Sequence, residues 1–163
     1  MNNLLAFDIE SLGVGKKLCS VGFAHIDGGR HLINIECDWN DMEPRCKREF
    51  WDKQSEELKL KLQTNCVTES VACQQIKDLV ETYCLDGRDE IMIVSDNPGY
   101  DVGEINALLV RNGFMPLQYT KKSGYIDVLC ASSFRKGKGI FTSIGINAHS
   151  PELDAEVILK SVL

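Results

Sequence analysis

The stretch Asn3-Leu4-Leu5-Ala6-Phe7-Asp8-Ile9-Glu10 decides the fold. Residues 3–7 are nearly continuously apolar, the pattern of a central strand covered on both faces. The two acids that follow stand at its end. Side chains two residues apart in a strand project the same way, so Asp8 and Glu10 present two carboxylates to one point in space, an arrangement suited to a cation. A lone D-x-E also serves merely to solvate a strand end, so its meaning depends on what the rest of the chain brings to the same place.

Two further strands are predicted around Leu18 to His25 and His31 to Cys37, joined by the hairpin chemistry of Asp27-Gly28-Gly29-Arg30. With residues 3–7 they suggest an antiparallel meander. Helical composition follows from about Arg45 to Leu62 and, with clearer apolar spacing, from Thr68 to Tyr83. Glu90 to Ser95 reads as a buried strand, Asp96-Asn97-Pro98-Gly99 as a turn, and Tyr100 to Asn112 as a helix that Gly113 can end. Gly124 to Val128 is a short strand candidate, and Arg135-Lys136-Gly137-Lys138-Gly139 a basic loop. A final helix starts at the capping pair Ser150-Pro151. The expected class is α/β, in a single domain over residues 1–163.

Two helical acids give the strand-end pair its meaning. Asp101 lies one turn before Ile105 and two before Leu109, and Asp154 lies on the same face as Ile158 and Val162. Both therefore point toward the core. An unpaired carboxylate there costs several kcal/mol unless a cation or strong hydrogen bonds compensate. Complementing a helix dipole is the simpler alternative for either acid alone.

In order along the chain, Phe7-Asp8-Ile9-Glu10-Ser11-Leu12-Gly13, Asn97-Pro98-Gly99-Tyr100-Asp101 and His149-Ser150-Pro151-Glu152-Leu153-Asp154-Ala155 resemble the three motifs of the DEDDh 3′-to-5′ exonucleases. That family has a ribonuclease-H-like fold, which implies three antiparallel strands plus parallel strands in the sheet. The resemblance spans nearly the whole chain. It implies Asp8, Glu10, Asp101 and Asp154 as ligands of two divalent cations, Mg2+ or Mn2+, and His149 as the general base. The expected substrate is the 3′ end of single-stranded DNA or RNA, released as nucleoside 5′-monophosphates. Ser11, Leu12, Gly13, Asn97 and Tyr100 would contact the terminal nucleotide. A likeness to short phage exodeoxyribonucleases and mycobacterial-type exoribonucleases rests on Phe50-Trp51-Asp52-Lys53-Gln54-Ser55 and suggests that Trp51 lines the cleft. Short relatives often pair, so a homodimer is one expectation. Asp127, in Tyr125-Ile126-Asp127-Val128-Leu129, is read as structural. A trimming subunit that needs a partner, and a catalytically silent nucleic-acid-binding domain, are the competing readings.

Composition sets the remaining bounds. At 44% hydrophobic and 26% charged residues, the 163-residue chain has ordinary globular usage. No apolar run approaches the roughly 20 residues of a membrane span, and no basic leader precedes a long apolar segment, so the expected address is cytoplasmic. Seven cysteines without a C-x-x-C pair read as reduced packing thiols. A net charge of -6 opposes binding nucleic acid by phosphate neutralisation alone, unless clustered acids hold cations. The basic pairs Lys16-Lys17 and Lys121-Lys122, with Arg135, Lys136 and Lys138, are candidates for guiding a backbone. Gly13-Val14-Gly15-Lys16-Lys17 lacks the spacing of a phosphate loop.

Overall fold

The computed structural model describes residues 3–84, 91–122, 124–134 and 149–163. Its elements are β1(Asn3–Ser11), β2(Leu18–His25), β3(Arg30–Asn34), α1(Pro44–Glu49), a 3-10 turn at Trp51–Lys53, α2(Glu56–Leu62), α3(Glu69–Tyr83), β4(Ile91–Ser95), α4(Pro98–Arg111), β5(Tyr119–Thr120), β6(Gly124–Tyr125), β7(Val128–Cys130), α5(Ala131–Phe134) and α6(Pro151–Val162). The main sheet runs β3-β2-β1-β4-β7, and β5 pairs with β6 apart from it. β1 is antiparallel to β2, as β2 is to β3, whereas β4 is parallel to both β1 and β7. This is the mixed sheet of three antiparallel strands plus parallel strands that the resemblance implies.

Alternation along β1 divides the core in two. Leu5, Phe7 and Ile9 face the cluster formed with Ala72, Ile76 and Val80 of α3 and Ile105 and Leu108 of α4. Leu4 and Ala6 face the opposite cluster, with Ala155, Val157 and Ile158 of α6. Complete burial of such side chains contributes roughly 1.5–3 kcal/mol each, so the helices on both faces are held mainly by this contact. β2 carries Gly22 where α6 crosses it. A Cβ at Gly22 would lie 2.0 Å from the Glu152 nitrogen and 2.1 Å from the Pro151 carbonyl carbon. Only glycine lets the start of α6 sit this close to the strand.

Several elements differ from expectation. The helix expected over residues 45–62 is broken into α1, the 3-10 turn and α2. Burying Trp51 with Leu12, Cys19 and Leu62 turns the chain at Phe50, and Ser55 starts the next helix by accepting from Leu58 N at 3.1 Å. Tertiary packing here overrides helix propensity. β3 stops at Asn34, followed by a single bridge between Ile35 and Val67. The strand expected at Gly124 to Val128 is divided between β6 and β7, which belong to different sheets. Glu90 and the basic loop at Arg135, Lys136 and Lys138 lie outside the described residues. All seven cysteines are free thiols. Among the described residues, no helix is long and apolar enough to cross a membrane.

Candidate active site

Asp8 and Glu10 continue the face of β1 that carries Leu4 and Ala6, which brings them under the start of α6. Pairing between β1 and β4 is recorded only as far as Ala6 and Val94, so the two strands have parted where the acids begin. Asp8 lies opposite Gly22 and Glu10 opposite Ser20 on β2, with a register shift between Glu10 and Ser11. Asp154 comes in on the first turn of α6, and Asp101 on the first turn of α4 directly after β4. Both helical acids are buried, at 5% exposure for Asp101 and 2% for Asp154, as their place on the apolar stripes requires.

The potential ligand atoms form two groups. Those of Glu10, His149 and Asp154 lie within 4.8 Å of one another, and so do those of Asp8, Asp96 and Asp101. The groups are electrostatically continuous. Burial raises the Asp8 pKa well above the usual carboxylate range, and Glu10, Asp154, Asp101 and Asp96 raise it further. Burial likewise raises Glu10, with Asp154 and Asp101 adding to the effect. Asp101 is pushed up to about 7, first by burial, although Ser95 Oγ donates to its Oδ2 at 2.7 Å. Burial also raises Asp96.

These shifts reflect burial and the crowding of acids against one another. None of the ion pairs among the described residues involves Asp8, Glu10, Asp96 or Asp101. Hard divalent cations take oxygen ligands of this kind, and a bound cation reverses the local preference for protonation. The donor set fits such ions.

His149 stands at the mouth of α6 with φ of +52°, a conformation uncommon outside glycine. Burial lowers its pKa below the ordinary histidine value, which favours the neutral, proton-accepting imidazole near pH 7. The Phe50 ring meets the His149 ring edge-on, with centroids 4.8 Å apart.

The residues expected to touch substrate fall into two sets. Ser11 and Tyr100 are half-buried, and their hydroxyls are 3.3 Å apart. Asn97 is exposed and caps α4 by position, without a side-chain capping bond. Leu12 and Trp51 differ from expectation, because each is only 1% exposed and packs in the cluster under the 11–17 loop. Trp51 Nε1 donates to the Ser11 carbonyl at 3.1 Å, so it supports the loop instead of lining the cleft. The Leu12 N–H and C=O are already engaged by Lys17 O at 3.0 Å and Glu43 N at 2.8 Å. Gly13 is required by its φ of +126°, and a Cβ there would lie 2.4 Å from Glu43 Cβ.

Two residues at the site carry no functional signal of their own in the sequence: Asp96, which reads as turn chemistry, and Phe50, the neighbour of Trp51. The available signal for Asp96 was its position between a buried strand and a helix whose first turn carries an acid. Asp127 is exposed and acts through its carbonyl, which accepts from Ile93 N at 3.0 Å.

No protein-family model matches the sequence, and no curated protein matches it. Solved structures do match. E. coli exonuclease I in complex with a dA16 oligonucleotide has a TM-score of 0.67 at 12% identity, over 98% of this chain and 40% of the other. The zinc-bound form of the E. coli ExoI–ssDNA complex gives 0.69 at 11% identity, over 99% and 40%. S. pombe Pop2p, in its Mg2+- and Mn2+-bound form, gives 0.67 at 14% identity, over 98% and 81%. The chain thus spans about two fifths of the E. coli enzyme and four fifths of Pop2p. At these identities the likeness is one of fold, and the chain has the ribonuclease-H-like fold that these structures share.

Proposed function

We propose that this chain is a metal-dependent 3′-to-5′ exonuclease that hydrolyses single-stranded DNA or RNA ends to nucleoside 5′-monophosphates, with residues 1–163 acting as one domain. The observation that carries the reading is the continuous acidic site of Asp8, Glu10, Asp96, Asp101 and Asp154, with the His149 ring at its edge. The fold shared with an exonuclease in complex with oligonucleotides supports a nucleic-acid substrate.

Asp8, Glu10, Asp101 and Asp154 would hold two divalent cations, Mg2+ or Mn2+. Such ions supply Lewis-acid activation of an attacking water and stabilise charge on the scissile phosphate. The neutral His149 imidazole accepts the proton of that water, in keeping with its lowered pKa and its place beside Glu10 and Asp154. Ser11, Asn97 and Tyr100 orient the terminal nucleotide from the rim. Phe50 steadies the imidazole by its edge contact.

The test is degradation of 5′-labelled single-stranded DNA and RNA by the purified chain with Mg2+, Mn2+ or EDTA, beside Asp8→Ala. A ladder shortening from the 3′ end, absent in EDTA and in the variant, is expected. Cleavage that survives Asp8→Ala, or no cleavage of either polymer with any metal, would remove the assignment.

A further inference from the structure

Ser150 occupies the N-cap of α6, where a serine hydroxyl ordinarily accepts from a backbone N–H of the first turn. It makes no such bond here. Instead Lys61 Nζ, on α2, donates to Ser150 Oγ at 2.6 Å, and that hydroxyl donates to Glu152 Oε2 at 2.6 Å. Lys61 also pairs directly with Glu152 Oε1. Ser150 is 2% and Glu152 9% exposed, so the α6 side of this contact is shielded from water, while the Lys61 side chain is half-buried. A cap hydrogen bond has been given up for a tie between two helices.

Lys61 is itself fixed from behind. Asn34 Nδ2 donates to the Lys61 carbonyl at 2.9 Å, and Ser20 Oγ donates to Asn34 Oδ1 at 2.8 Å. Ser20 is the cross-strand partner of Glu10. One polar chain therefore runs from the strand pair bearing Glu10, through α2, to the residue immediately after His149. The left-handed backbone of His149 persists only if its surroundings hold it there, and Phe50 meets its ring edge-on.

We propose that Lys61 is a positioning residue: through Ser150 and Glu152 it holds the His149 turn so that the imidazole faces Glu10 and Asp154. The inference rests on the reading of His149 as general base, and it assigns to an α2 lysine, outside the three acidic motifs, control over that base.

Lys61→Met and Lys61→Arg are compared in the wild-type and His149→Ala backgrounds. A displacement of the base by about 1 Å lowers turnover by up to about a hundredfold, so Lys61→Met should reduce kcat roughly ten- to a hundredfold while KM stays within about twofold. Lys61→Arg should restore most of the loss. On the His149→Ala background Lys61→Met should add less than about twofold, because the residue it acts through is gone. A readout independent of turnover uses metal-free protein. The nuclear Overhauser contact between the His149 and Phe50 rings should vanish in Lys61→Met and return in Lys61→Arg. Ser150→Ala, which removes the hydroxyl link alone, should weaken the same contact and serves if Lys61→Met does not fold.

Full kcat in Lys61→Met would overturn the inference. So would an unchanged ring contact, or a raised KM at unchanged kcat, which marks a substrate phosphate contact. A loss that multiplies with His149→Ala would do the same. An inactive wild type, or a fully active His149→Ala, counts against the exonuclease or general-base reading itself. The ring contact still decides whether Lys61 holds the histidine.

Discussion

Asp101→Asn separates the two demands placed on a single buried carboxylate. Burial, the neighbouring Asp96 charge and a hydrogen bond with Asp96 lift its pKa from 3.8 to about 7, against the lowering effect of the Ser95 hydroxyl. In the unfolded chain an aspartate titrates near ~3.9. Between about pH 4 and pH 7 the folded protein therefore holds a proton that the unfolded chain has released, and stability falls as pH rises through that window. The rise from 3.8 to about 7 corresponds to roughly 4 kcal/mol at about 1.36 kcal/mol per pH unit. Asparagine removes this ionisation cost, and its amide oxygen can still accept from Ser95. Because Asp96 and Asp101 share a hydrogen bond, part of the relief passes to Asp96, and a gain on the order of 2 kcal/mol is expected at pH 8. For a chain of this size that raises Tm by roughly 4–8 °C.

The assay is thermal unfolding in EDTA at pH 4 and pH 8, repeated with saturating Mn2+. The variant should be more stable than wild type at pH 8 and nearly equal at pH 4. Added cation should then close or reverse the gap, since a ligand at about 100 times its Kd contributes about 2.7 kcal/mol to the protein that binds it. An Asp101→Asn protein that gains nothing at pH 8 in EDTA, or gains equally at both pH values, would refute the claim that uncompensated charge is stored at this site.

Three further outcomes follow from the same geometry. His149→Ala should lower kcat by about a hundredfold or more while Mn2+ affinity measured by calorimetry stays within about threefold, and near wild-type turnover would take the base role from it. Gly22→Ala forces a methyl against Pro151 and Glu152, so urea unfolding should show a loss of about 1–3 kcal/mol, and activity should fall with it. Trp51→Ala should cost about 3–5 kcal/mol of stability as a core deletion, whereas Phe50→Ala, at a half-buried ring beside His149, should act mainly on turnover; equal stability losses would contradict the division of labour between the two aromatics.

The sheet was legible because its strands announce themselves by burial and alternation. Residues 4–7 are apolar throughout and lie in the central strand, and the Asp27-Gly28-Gly29-Arg30 turn marks the β2–β3 hairpin. The acids at positions 101 and 154 were legible for the opposite reason, as charges on otherwise apolar helical stripes. What the sequence concealed is whatever depends on contacts between distant segments. Residues 45–62 have helix-forming composition, and only the pocket made by Leu12, Cys19 and Leu62 shows that Trp51 must turn inward and break the run. The Lys61, Ser150 and Glu152 contact joins residues about 90 positions apart, with no local signature at all. Asp96 is hidden by its own turn propensity, since Asp-Asn-Pro-Gly reads the same whether or not its first side chain faces an acidic cluster.

The net charge gains a different meaning once the acids are placed. The chain has 24 acidic and 18 basic side chains. Setting aside Asp8, Glu10, Asp96, Asp101 and Asp154 leaves 19 acids against 18 bases, so five of the six formal negative charges belong to one site and the rest of the molecule is nearly neutral. A surface of that kind neither attracts nor repels a polyanion strongly over distances beyond the Debye length, about 8 Å at physiological ionic strength. Affinity for a phosphodiester must then arise at the site itself, where the local charge changes sign when divalent cations are bound. Substrate binding by this chain should therefore depend on metal first and on salt second. A filter-binding titration with the His149→Ala protein, whose turnover is expected to be lowered, would show it, as capture of a labelled oligonucleotide that EDTA abolishes and that changes less steeply with salt than expected for a basic groove. Binding that persists in EDTA with a steep salt dependence would instead place the nucleic-acid contacts on surface lysines and arginines away from the acidic centre.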